Sequence, residues 1–68
     1  MKSKDFEILI NRLEKDNGLH RKKMVEIYNL DTKEMVARQE DLDFHKELID
    51  YHETMIRYIK RLDKELYE

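Results

Sequence analysis

The chain has no cysteine, no proline and no tryptophan, and a single glycine among its 68 residues. Without cysteine it can form neither a disulfide nor a thiolate metal site, and a reducing, cytoplasmic setting is expected. Without proline, long helices meet no built-in breaker. The longest apolar run, Ile8 to Ile10, is far too short for a membrane span or a signal-peptide core. An excess of one charge is also missing: charged residues make up 44% of the chain, yet the net charge is −2. Interspersed signs describe solvated helix faces rather than a polybasic surface. The Arg21-Lys22-Lys23 run is three residues long, and nucleic acid is therefore disfavoured as a partner. At 40% hydrophobic with regular spacing, the chain is not of disordered composition. The abundance of Leu, Ile, Lys and Glu points to an all-α protein of one domain, residues 1–68.

The strongest signal lies in the back half, from Glu34 to Glu68. Written as heptads, His45, His52, Ile59 and Leu66 take position a, and Leu48, Met55 and Leu62 take d. Leu42, Ile49 and Ile56 fall at e, and Phe44, Tyr51 and Tyr58 at g. Positions g, d, a and e form one arc of about 160° on a helical wheel, with polar residues around the rest. The result is an amphipathic helix about 50 Å long at 1.5 Å rise per residue. Its apolar arc is wider than the a/d seam of a two-stranded coil, so it expects more than one neighbouring helix.

Ahead of it, Ser3 can cap a first helix, Asp5 and Glu7 suit its positive end, and Phe6, Leu9, Ile10 and Leu13 form its stripe. Asn17-Gly18 is either a stop signal or a glycine tolerated on an exposed helical face. Further on, Asp31 followed three residues later by Glu34 has the spacing of a capping box, and Asn29, Asp31 and Thr32 are weak helix formers. A turn there makes an antiparallel hairpin of unequal arms, 3–29 against 32–67. One heptad frame nevertheless runs from Phe6 to Leu66, which keeps a long antiparallel coiled coil as an alternative. Three short helices are the third. Four consecutive charged a/d residues, Asp31, Glu34, Arg38 and Asp41, argue against the uninterrupted coil. Two arms do not cover a 160° stripe. The expected solution is therefore a homodimer forming a four-helix bundle, with Leu42, Phe44, Leu48, Ile49, Tyr51, Met55, Ile56, Tyr58, Ile59 and Leu62 at the interfaces.

Little in the chain suggests catalysis. His52-Glu53 begins like a zincin helix, but Ile56 stands where the second ligand belongs, and no Glu-x-x-His pair is present. His45 and His52, about 10 Å apart along one helix, are too far apart to share a metal and read as core-facing residues with pH-sensitive potential. No metal or cofactor is expected. The first reading is thus a non-enzymatic, self-associating helical module that docks another protein.

An alternative comes from a resemblance. The stretch Leu30-Asp31-Thr32-Lys33-Glu34-Met35-Val36-Ala37-Arg38-Gln39-Glu40-Asp41-Leu42-Asp43, preceded by Arg21-Lys22-Lys23-Met24, resembles the loop and second helix of the small aspartyl-phosphate phosphatases that regulate sporulation. Those are helical hairpins carrying a Ser-Gln-Glu-Leu-Asp signature after a Gly-Leu loop. In this chain Gln39 stands for the serine, Glu40 for the glutamine and Asn29 for the loop glycine, and His45, Lys46 and Glu47 follow where an apolar pair and asparagine belong. The resemblance implies that Glu40, Asp41, Leu42 and Asp43 meet the acyl phosphate of a response regulator.

Overall fold

The structure is a computed structural model and describes residues 2–67. The chain is an antiparallel helical hairpin, 51 Å long and 14 by 11 Å across. Helix α1 spans Lys4–Tyr28, α2 spans Thr32–Ala37, and α3 spans Gln39–Tyr67. Helix α1 packs along α3, and the short α2 sits in the turn with no buried residue of its own.

Each end of α1 follows from local chemistry. The Ser3 hydroxyl accepts a hydrogen bond from the Phe6 amide at 3.3 Å, and Asp5 and Glu7 occupy the first turn beside the positive end of the dipole. At the other end the Asn29 amide donates to the Val25 carbonyl and the Leu30 amide to that of Ile27, closing the last turn. Asp31 then leaves the helical region, with φ −66° and ψ 164°. Its carboxylate accepts from the Glu34 amide at 2.9 Å, which starts α2. The turn therefore stands where the weak helix formers and the capping spacing put it. The long uninterrupted coil is ruled out, because α1 doubles back onto α3 within one chain.

Gly18 is not a stop. It lies inside α1, has no positive φ, and a Cβ added to it would meet nothing within 4 Å. An exposed helical glycine carries a large backbone entropy cost and gains no packing in return. The three-short-helix alternative required a break there and fails with it. The second arm, expected to be continuous over 32–67, is instead interrupted at Arg38, where φ is −103° and ψ 17°. The Arg38 amide is shared between the carbonyls of Glu34 and Met35, and its Nε donates to Asp41 Oδ2 at 2.8 Å. The break is cheap because α2 buries nothing that a change of helix direction would expose.

The core is a row. Along α1, Phe6, Ile10, Leu13, Asn17, His20, Met24 and Ile27 recur at alternating steps of four and three and are all buried or half-buried. Ile10 and Leu13 pack with Ile56 and Ile59 of α3, flanked by Phe6 and Met55. Each fully buried aliphatic side chain contributes about 1.5–3 kcal/mol relative to exposure. The free end of the hairpin is fastened by Asp63, only 4% exposed, whose carboxylate accepts from the Ser3 amide at 2.8 Å and the Lys2 amide at 3.1 Å. Burial raises the pKa of Asp63, but those two amides and the Lys2 charge outweigh it and hold the carboxyl below its ordinary 3.8.

Two outcomes are expected. Gly18→Ala raises the melting temperature, by the equivalent of about 0.5–1 kcal/mol; a fall would restore the cap. Asp31→Ala destabilises the hairpin by about 0.5–2 kcal/mol in chemical denaturation through loss of the cap.

Candidate interaction surface

The width of the apolar arc on α3 decides what remains open. Helix α1 lies against its e and a side: Leu42, Ile49, Ile56 and Ile59 are all buried inside the hairpin. Leu48, Met55 and Leu62, at d, are half-buried. Phe44, Tyr51 and Tyr58, at g, are 56%, 62% and 58% exposed. Of the ten residues expected at interfaces, four are therefore consumed by the protein's own first helix. Leu42, Ile49 and Ile56 therefore need no cover from a second chain; a heptad frame does not say which flank of the seam a neighbour takes. The other six form a continuous stripe of d and g side chains along α3 that α1 meets only at its near edge, where Met55 packs against the Ile10–Leu13 cluster and Phe44 lies edge-on to His20.

Beneath this stripe lies a polar layer. His45 and His52 face the core as expected, but the partner that makes them a group is His20, delivered by α1. The Nδ1 atoms of His20 and His45 are 2.8 Å apart, so one must carry hydrogen and the other its lone pair. His52 Nδ1 lies 2.8 Å from Oδ1 of Asn17, which is 2% exposed and the most deeply buried polar side chain. With the amide so oriented, His52 is the donor. The exposed rings pack on this layer edge-on or tilted. Phe44 is 6.4 Å from His20 and 5.6 Å from His45, and Tyr51 is 6.1 Å from His52, measured between ring centroids. Nothing in the residue order marks Asn17 or His20 as partners of His52 and His45, because the contacts span 35 and 25 residues. Asp63 was missed, since its role depends on amides sixty residues away.

Burial pushes the His20 imidazole below its ordinary 6.5, and neighbouring His45 and His52 push the same way, against Asp16. The charged groups around the layer come from each element. Asp16, Lys23 and Glu26 belong to α1, Arg38 to the α2–α3 junction, and Glu53, paired with Arg21 at 2.8 Å, to α3.

A shallow groove on one flank is lined by Glu14, Asn17, Arg21, Glu53, Ile56 and Arg57, and the Arg21–Glu53 pair spans it. Among the described residues no three of His, Asp and Glu are arranged to hold a metal ion. The residues singled out by the phosphatase resemblance stand in the first turns of α3. Leu42 is buried, Asp41 is paired with Arg38, and Asp43 accepts from the Gln39 amide group at 3.0 Å. Glu40 is exposed. Among the described residues no helix is long and apolar enough to cross a membrane. No protein family, curated protein or solved structure matches the chain.

Stability responds to pH through His20. Its folded value lies below 6.5, so the unfolded chain binds the proton more readily. The contribution of His20 is fully present above about pH 6.5 and is lost as the pH drops below that value towards its lowered folded pKa, well above the range where Asp63 titrates. Melting curves between pH 7.5 and 5 should show this decline, and His20→Gln should flatten it; an unchanged slope would remove His20 as its source.

Proposed function

We propose that the protein is a non-enzymatic helical interaction module whose working surface is the uncovered d/g stripe of α3. The observation that carries this reading is the row Phe44, Tyr51, Tyr58, three large aromatic side chains more than half exposed at heptad spacing. Exposed apolar area arranged so regularly is costly to leave in water and marks a docking site. The seven-residue repeat fits another helix rather than a small molecule, because knobs spaced by two turns need holes at the same spacing. The flanking grooves hold ion pairs rather than converging acid, base and nucleophile.

A photocrosslinking side chain at Tyr51 tests the reading in cells that express the chain. Covalent products should form there and not with the same group at Lys22, an exposed position of α1. Equal capture at both positions, or none at Tyr51, would contradict a docking role for the stripe. Incubation with aspartyl-phosphorylated response regulators should leave the label in place. Loss of label that depends on Glu40, Asp41 and Asp43 would make the chain a phosphatase-like regulator instead.

A further inference from the structure

Helix α3 is electrically polarised along its length. From Gln39 to Glu53 it carries Glu40, Asp41, Asp43, Glu47, Asp50 and Glu53 against Lys46 alone. From Thr54 to Tyr67 it carries Arg57, Lys60, Arg61 and Lys64 against Glu65 and the buried Asp63, which is already bound to two amides. The open apolar stripe runs through both halves. Beside the stripe itself, at position c, stand Glu40 and Glu47 next to Phe44 and Arg61 next to Tyr58, while Asp41 and Glu53 are already paired with Arg38 and Arg21, so an occupant is matched by basic charge beside Phe44 and acidic charge beside Tyr58. A parallel copy of α3 would set acid on acid and base on base, whereas an antiparallel copy satisfies both halves at once.

We propose that the occupant of the stripe is a second copy of this chain, with the two α3 helices antiparallel about a two-fold axis near Glu53. This deepens the docking reading above and rests on it. Register follows from the requirement that each g residue meet a d residue, the usual layer rule for antiparallel seams. Of the registers that satisfy it, pairing residue i with residue 106 minus i is the one that sets all six stripe residues against one another, with Asp41 meeting the partner's Glu65 at the two ends. Phe44 meets the partner's Leu62, Leu48 meets the partner's Tyr58, and Tyr51 meets the partner's Met55; the two-fold repeats all three. The same register brings Glu47, flanking the stripe at position c, beside the partner's Arg61, an ion pair formed twice. The helix dipoles also oppose, as they do within the hairpin. The second copy covers the three exposed aromatics and the open side of the three half-buried d residues in one step.

The chain contains no cysteine, so single cysteines report the arrangement without background. Phe44→Cys and Leu62→Cys copies, mixed and oxidised, should give a covalent heterodimer, while Phe44→Cys alone stays uncrosslinked because its symmetry mate lies eighteen residues away, about 27 Å along the axis. In sedimentation, Glu47→Arg or Arg61→Glu alone should raise the dimer Kd about tenfold, and the two combined should bring it back, since the pairs re-form with reversed sign. Efficient self-crosslinking of Phe44→Cys would overturn the antiparallel arrangement. A wild-type chain that sediments as a monomer at about 100 µM would overturn the second copy altogether. In that case a Tyr51-specific photocrosslink to a different protein would leave the docking reading standing, and no Tyr51 product at all would remove both.

Discussion

A narrow stripe packed against a wide one is the constraint on which this protein depends. Helix α1 presents a single row, from Phe6 to Ile27, that is about as wide as a coiled-coil seam. Helix α3 presents an arc twice as broad. One row can desolvate only one flank of that arc, and it takes the e and a side, where Ile56 and Ile59 meet Ile10 and Leu13. The exposed aromatic row is the remainder. Its existence is thus a consequence of how the hairpin closes rather than a separate feature laid on top of it.

The middle of the same seam is filled by polar groups where aliphatic ones would pack more cheaply. Asn17 and the three histidines leave no buried side-chain nitrogen or oxygen without a partner among the described residues. A satisfied polar layer contributes less to stability than leucine would, but it permits few alternative registers, because a slip of one turn would leave a buried amide unpaired. Asp63 acts similarly at the free end, where sliding α1 along α3 would cost the carboxylate both of its amide donors. Two polar contacts therefore hold the register of an interface whose energy is apolar. Since the Phe44 ring lies edge-on to His20 of α1, the histidine layer and the open stripe also meet.

Much of this was legible in the residue order, and the division is physical. Caps are local: Ser3 and Asp31 announce themselves because their acceptors lie three residues away. The amphipathic arc of α3 is local too, as is the absence of any breaker inside it. The flank that α1 covers, the arrival of His20 between His45 and His52, and the clasp of Asp63 on Ser3 depend on contacts 25 to 60 residues apart, and no periodicity encodes them. Gly18 shows the reverse case, a strong local signal overruled because apolar positions on both sides keep one helical phase. The break at Arg38 has no mark in the sequence. It occurs in the one stretch of the arms that buries nothing, where helix direction is least constrained.

The side of α3 that α1 occupies can be measured directly by methyl and aromatic nuclear Overhauser contacts in a sample where labelled and unlabelled chains are mixed, so that only contacts within one chain are read. Ile10 and Leu13 should show intramolecular contacts to Ile56 and Ile59 and none to the rings of Tyr51 and Tyr58. Contacts from Ile10 and Leu13 to those tyrosine rings, or no contact to Ile56 and Ile59 within one chain, would contradict the account.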